Sequence, residues 1–280
     1  MTPFSLLLPV YHRDDADHLR RAFVSAVDEQ IRPPTEVVLV RDGPMGADLR
    51  HTVDELVSTS TVPVTRIDLA TNVGLGPALN AGLEACEYEV VARMDADDIS
   101  LPQRFAVQLP VVEAGVDVVG SALLEFDTDE DDVVGVRTPP LEDAEIRSWA
   151  RFHQPFNHPT VVYRKSAVAA VGGYQDLPLL EDYWLFARMI AAGARLANVR
   201  EPLVKYRVGA GAYHRRGGLA LLRSEITLQQ QLRALGFTSG PQYARNLAVR
   251  GSYRLVPQSL RRHAYRRLIA GRGDRSSPVV

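Results

Sequence analysis

Val90-Val91-Ala92-Arg93-Met94-Asp95-Ala96-Asp97-Asp98 changes character within a few residues: an apolar run of strand length ends in three carboxylates packed into four positions. Such carboxylates repel one another at neutral pH, and solvent, arginines or a metal must offset the repulsion. Magnesium and manganese take oxygen ligands, often one or two carboxylates together with substrate phosphates. Asp-x-Asp at a strand end therefore suits a cation that bridges a diphosphate. The bland alternative is a loop or a helix cap, where the same pattern is common.

Working back from this stretch, short apolar runs alternate with amphipathic ones. Residues 4–10 form a continuous apolar run that reads as a buried strand. Residues 18–30 follow with helical spacing through Leu19, Ala22, Phe23, Ala26 and Val27. A second strand at residues 36–40 stops at Asp42-Gly43-Pro44, a strong turn signal. Residues 48–57 are again helical in period, 64–69 read as a third strand, and 77–85 as a helix with proline in its first turn. Repeated strand–helix–strand units predict an α/β fold with a mostly parallel sheet flanked by helices. Ligands bind outside the carboxyl ends of such strands, so Pro9-Val10-Tyr11, Arg41-Asp42-Gly43 and residues 95–98 are expected to converge.

Working forward, strands are expected at 116–126 and 160–164, with a helix at 142–152 between them. The acidic stretch 127–132 reads as a solvated loop. A helix at 181–192 ends at Gly193, a good cap residue, and two short strands at 196–199 and 203–206 close the sheet. Beyond Gly209 the chain turns helical and basic.

In order and spacing these segments resemble glycosyltransferase family 2, inverting enzymes of bacterial polysaccharide biosynthesis with the GT-A nucleotide-binding fold. The likeness runs over residues 4–207. It is carried by Leu8-Pro9-Val10-Tyr11, by Val38-Leu39-Val40-Arg41-Asp42-Gly43, by Asn72-Val73-Gly74-Leu75-Gly76 continuing to Ala78-Leu79-Asn80, by Arg93 to Asp98, and by Glu181-Asp182-Tyr183-Trp184. The resemblance implies a GT-A domain over residues 1–210 and a basic helical region over 211–280. It further implies a nucleotide-diphosphate sugar donor, a UDP-sugar above others, and a saccharide or lipid-linked saccharide acceptor. Asp42 is then expected on the nucleotide base, with Pro9 and Tyr11 lining its pocket, Asn72 near the donor, Asp95 on ribose, and Asp97 on Mn2+ or Mg2+. Asp98 either orients a metal water or caps a following helix. The family usually carries a second acid where this chain has Arg41, which leaves the identity of the base open.

An inverting transfer needs a base for the acceptor hydroxyl, and the resemblance puts Asp182 there. Neighbours on a helix point about 100° apart, so Glu181 and Asp182 cannot both face the site in the same way. Either acid is also suited to a helix N-terminus. Trp184 is expected on the acceptor or in packing. Asn157-His158-Pro159-Thr160 resembles a segment of bacterial members, with His158 on a substrate or as a hydrogen-bonded structural residue. Tyr213-His214-Arg215-Arg216-Gly217-Gly218 reads as a basic lid over the diphosphate, with His214 and Arg215 as lid residues and His214 a candidate metal ligand by the resemblance, or as a solvated linker.

A net charge of −2 gives no global reason to expect nucleic acid. A single cysteine, Cys86, excludes a disulfide framework within the chain and fits a reducing compartment. The opening residues lack a basic stretch ahead of an apolar one, so the expectation is a cytoplasmic protein, either soluble or peripheral on the inner face of the cell membrane. Nine arginines against one acid between Arg245 and Arg275, interspersed with apolar residues, suit either a membrane-surface helix or a solvated or protein-contact face. Two competing functions are a sugar nucleotidyltransferase and a non-catalytic nucleotide-sugar binder. The first usually has a glycine-rich basic loop near its N-terminus, where this chain has His12-Arg13-Asp14. Intact Asp97 and Asp182 argue against the second.

Overall fold

A computed structural model describes residues 2–208 and 219–255. The first strand, β1 (Phe4–Tyr11), lies between β2 (Glu36–Asp42) and β4 (Val90–Arg93), and β3 (Val64–Asp68) flanks β2. These four pair in parallel, with Tyr11 opposite Asp42 and Leu7 opposite Arg93. Leu6 and Leu8 face a core shared with α1 (Ala16–Val27), α2 (Ala47–Thr59) and α4 (Arg104–Glu113). Leu7, Val38 and Val40 face the opposite core, shared with α3 (Leu75–Ala85) and α7 (Glu181–Ala191). Burial on both faces explains why β1 is an unbroken apolar run rather than an alternating one. Asp15 caps α1 by accepting from the amides of Asp17 and His18, a cap worth about 1 kcal/mol.

Past β4 the sheet becomes mixed. β8 (Val162–Arg164) runs antiparallel to both β4 and β6 (Val118–Phe126), while β6 pairs in parallel with β9 (Leu196–Arg207). Residues 196–206, expected as two strands, form one. Its pairing with β6 shifts around Ser121–Leu123, where Pro202 enters the strand, and proline in a strand sits at edges and bulges. Two strands escaped the sequence reading. They are β5 (Ile99–Ser100), which joins β9, and the edge strand β7 (Val133–Arg137), which pairs with β6. The acidic stretch before β7 is a surface turn tied down by ion pairs of Glu130 to Arg21 and Asp131 to Lys205.

Two short helices, α5 (Asp143–Trp149) and α6 (Lys165–Ala169), complete the second face. After the central sheet come α8 (Leu219–Ala234) and α9 (Gly240–Leu255). Leu221, Leu228 and Leu232 of α8 pack on Tyr183, Trp184 and Ala187 of α7 in a third core. Arg250 of α9 makes a two-pronged ion pair with the fully buried Glu225 and also donates to the carbonyl of Phe152. Arg245 lies over the ring of Phe152. These described arginines of the basic region thus turn toward the protein, and residues 256–280 lie outside the described part. No helix among the described residues is long and apolar enough to cross a membrane.

Candidate active site

The carboxyl ends of β2, β1 and β4 lie side by side, so Asp42, Tyr11 and residues 95–98 leave the sheet at one edge, as the strand pattern predicted. Asp42 is buried, and its carboxylate is occupied by the chain itself. It accepts from the side-chain amide of Asn72 at 2.9 Å and from the backbone N–H groups of Val73 at 2.7 Å and Gly74 at 3.1 Å. The close approach depends on Gly43, whose φ of +85° is left-handed and where a Cβ would stand 2.4 Å from the Asn72 nitrogen. Asp42, expected on the base, therefore serves first to shape the Asn72–Gly74 loop. Arg41 pairs with Asp68 at 3.1 Å.

At the end of β4, Arg93 is fully buried and forks onto the Asp95 carboxylate, one contact being 2.8 Å. Burial, the largest single influence, lowers its pKa, but the charge and hydrogen bonds of Asp95 together with Tyr174 and Asp98 outweigh it and the net shift is upward. Asp98 does not cap a helix, since β5 intervenes and α4 begins at Arg104 without a side-chain cap. One oxygen of Asp98 accepts from the Arg207 backbone N–H at 3.0 Å, and Arg207 Nε donates to the Asp97 carbonyl at 3.1 Å. The other oxygen, Oδ2, is buried without a hydrogen-bond partner. Burial, then the charges of Asp97 and Asp95, push the Asp98 pKa well up. An unpaired buried carboxylate oxygen is costly, and a proton or a cation beside it relieves the cost. The cluster therefore fits a divalent cation. Among the described residues no three or more acidic, His or Cys side chains form a ready-made cage. That agrees with a metal held by one or two carboxylates and completed by phosphate oxygens.

Across from this edge, Glu181 and Asp182 open α7, where the helix dipole favours negative charge by about 0.3–1 kcal/mol at an exposed site. Both are largely buried. Burial and the neighbouring Asp182 raise Glu181 to about 7. Burial raises Asp182 as well, opposed by the Gln154 amide, the Tyr183 N–H and the charge of Arg93. The Asp182 carboxylate is gripped on both oxygens, Oδ2 by Gln154 Nε2 and Oδ1 by the Tyr183 N–H at 2.7 Å. Its Oδ2 stands 3.6 Å from His158 Nδ1. Glu181 lies beside the first turn of α3, where a Cβ added at Gly76 would come 3.6 Å from the Cβ of Glu181. The charge of Arg93 favours ionisation of both Glu181 and Asp182, which ties this helix start to the Arg93–Asp95 pair at the sheet edge.

Two of the expected substrate-side residues are buried. Trp184 is buried between α7 and α8, donates its indole N–H to Gln175 at 2.9 Å, and lies under Arg188, so it packs the core rather than an acceptor. His158 is buried and hydrogen-bonded to Tyr174. His214 and Arg215 lie outside the described residues. Sequence reading missed Gln154, Tyr174 and the arginine half of the Arg93–Asp95 pair. For Arg93 the signal was its place inside an otherwise apolar strand, and for Gln154 there was none.

The sequence profile described as Glycosyl transferase family 2 matches residues 5–172. The chain belongs to that family. It is 36% identical over 267 residues to the amylovoran biosynthesis glycosyltransferase AmsE of Erwinia amylovora, covering 94% of this chain and 97% of the relative. It is 31% identical to the UDP-Gal:alpha-D-GlcNAc-diphosphoundecaprenol beta-1,3-galactosyltransferase of Escherichia coli, covering 95% and 96%. A mannosyltransferase from Pyrobaculum calidifontis, solved with GDP-Man and Mn2+, shares the fold at a TM-score of 0.65 and 16% identity over 98% of this chain and 77% of its own. This chain is accordingly a family 2 bacterial glycosyltransferase with a GT-A-like fold.

Proposed function

We propose that this glycosyltransferase moves a hexosyl residue, with inversion, from a nucleotide-diphosphate sugar to a saccharide or lipid-linked saccharide, with Asp182 as the general base. The observation that carries the reading is the placement of Asp182. It is a mostly buried carboxylate with a raised pKa, close enough to the sheet edge for the charge of Arg93, which forks onto Asp95, to favour its ionisation. In the reaction Asp182 takes the proton of an acceptor hydroxyl as its oxygen bonds the anomeric carbon. The nucleotide diphosphate leaves from the opposite face with the electron pair of the broken C–O bond.

Asp42 holds the Asn72–Gly74 loop against the donor side, while Pro9 and Tyr11 at the end of β1 line the base pocket. Asp95 stays partly exposed beside Arg93 and keeps lone pairs for a ribose hydroxyl. Asp97, with Asp98 beside it, would hold Mn2+ or Mg2+, which supplies positive charge to the leaving diphosphate. A UDP-sugar is the favoured donor because the E. coli relative is named for UDP-Gal. That relative is also named for a diphosphoundecaprenol acceptor, which would bring this enzyme to the inner face of a membrane. We read residues 1–210 as the catalytic domain and the helices beyond as its support.

The test is turnover of a panel of UDP-hexoses with a GlcNAc-diphospholipid acceptor under manganese titration, with product read by mass spectrometry. Asp182→Asn should cut kcat by about 10²–10⁴-fold, the usual worth of a general base, and leave UDP binding intact. Near-normal kcat in that variant sinks the assignment.

A further inference from the structure

Gln154 is not the sole side chain aimed at Asp182. His158 presents Nδ1 to the same oxygen at 3.6 Å, and its Nε2 lies 2.8 Å from the Tyr174 hydroxyl. Both partners are held hard. The His158 turn is fixed by Arg104 donating to the Pro159 carbonyl at 3.0 Å, by Asn157 donating to the Ser121 carbonyl at 2.9 Å, and by the Thr160 hydroxyl donating to the Asn157 carbonyl at 2.8 Å. Tyr174 is clamped by Asn80, which accepts from its N–H at 2.8 Å and donates to its carbonyl at 2.7 Å. Gly173 makes that clamp possible, with a φ of +65° and Asn80 Oδ1 only 2.6 Å from where a Cβ would stand. From α7, Arg188 donates to the Gly173 carbonyl at 2.7 Å.

We propose that His158 and Tyr174 are positioning residues that fix the orientation of the Asp182 carboxylate. The inference rests on Asp182 being the base. Burial and the nearby Arg93 hold the imidazole well below its ordinary pKa, so it is neutral and carries a proton on one nitrogen. Burial also keeps the Tyr174 hydroxyl protonated. If that hydroxyl donates to Nε2, the imidazole proton must sit on Nδ1, facing Asp182. The opposite tautomer would aim a lone pair at a carboxylate. At 3.6 Å the contact is longer than a hydrogen bond, a charge–dipole attraction that a small approach of the carboxylate converts into one. Orientation by a second partner of this kind is typically worth 10–100-fold where it has been measured for metal ligands. Two donors, Gln154 and His158, then hold Oδ2 while the acceptor hydroxyl is deprotonated.

In the assay above, His158→Phe keeps a ring without a donor and should lower kcat about 10–100-fold while leaving UDP affinity, measured by calorimetry with Mn2+, unchanged. His158→Asn keeps an N–H near the Nδ1 position and should recover most of the loss. Tyr174→Phe, which retains the buried ring and guards against a misfolded His158 variant, should lower kcat by a smaller factor. In an Asp182→Asn background, His158→Phe should cost nothing further, because both changes act through one group. Equal losses in His158→Phe and His158→Asn, or an undiminished loss in the Asp182→Asn background, overturn the inference while leaving Asp182 as base. A near-normal Asp182→Asn enzyme overturns the base itself.

Discussion

The donor edge and the base are built by different means. Asp42 and Asp95 sit where parallel strands end, and pairing of β1 with β2 and β4 alone carries them to one side of the sheet. Asp182 begins a helix; its carboxylate accepts from Gln154 and has His158 Nδ1 3.6 Å away, both far off along the chain. At the donor edge the carboxylates are largely offset by chain partners: Arg93 for Asp95, backbone N–H groups for Asp42, and Arg207 for one oxygen of Asp98. At the base, burial wins over those partners and the pKa rises. Burial raises Asp98 on the donor side too, so the difference lies in the scaffolding: strand ends and backbone N–H groups organise the donor edge, while side chains from distant segments surround the base.

The sharpest way to break this contrast is Arg93→Met, because Arg93 is buried between the two sides and its charge acts on Asp95, Asp98, Glu181 and Asp182. Removing one partner of a buried pair usually costs 3–5 kcal/mol, and the partial exposure of Asp95 puts this case near the lower end, at about 3 kcal/mol. Urea unfolding measures it. A loss well under 1 kcal/mol would mean that solvent, not Arg93, balances the donor edge. Next in size is Asp42→Asn, which turns one acceptor into a donor facing the N–H groups of Asn72 and Gly74. Hydrogen bonds to a charged group are worth about 1.5–3 kcal/mol, and the loss should appear mainly as a raised KM for the nucleotide sugar. A fall in kcat alone would contradict the role of Asp42 in shaping the donor loop.

The same contrast explains what could be read from sequence. Strand period, the Asp42-Gly43-Pro44 turn and the acidic cluster are local signals, and parallel pairing turns local order into spatial convergence. The mixed half resisted because its pairings are long-range: β8 enters between β4 and β6, and β9 bridges β6 and β5. Trp184 illustrates the limit for side chains. Its position in α7 is plain from the helical period, but whether it faces substrate or α8 depends on a helix that follows residues 209–218. Asp42 was rightly placed at the edge, but its contact with the Asn72 loop depends on how close the left-handed Gly43 lets two loops come.

A subtler test addresses the base side. Glu181 and Asp182 are neighbouring, mostly buried carboxylates, and the charge of Asp182 raises Glu181, so the acid limb of the kcat/KM profile has to be read for the pair. Asp182 must be ionised to accept a proton, so activity rises with pH through that limb. Groups facing the pair are His158, neutral through burial, Tyr174, protonated through burial, and Arg93, which favours ionisation. The charge of Asp182 helps hold Glu181 at about 7, so Asp182 ionises beside a still-protonated Glu181. Glu181→Gln replaces one neutral group by another and should leave the acid limb nearly in place; a fall of about one unit, equivalent to about 1.4 kcal/mol, would show that Glu181 is charged first.

The smallest effect is expected at Trp184, and its smallness is the point. Trp184→Phe keeps an aromatic ring between α7 and α8 and removes the indole N–H that Gln175 accepts. One neutral hydrogen bond is worth about 1 kcal/mol, so the melting temperature should fall by a few degrees. The acceptor KM and kcat should stay at their wild-type values, because the ring is 7% exposed and its neighbours are Leu180, Ala187 and the leucines of α8. A raised acceptor KM with no loss of stability would reverse the assignment and make the α7–α8 seam part of the acceptor site. The outcome therefore decides whether the C-terminal helices merely support the base-bearing helix or share in substrate recognition.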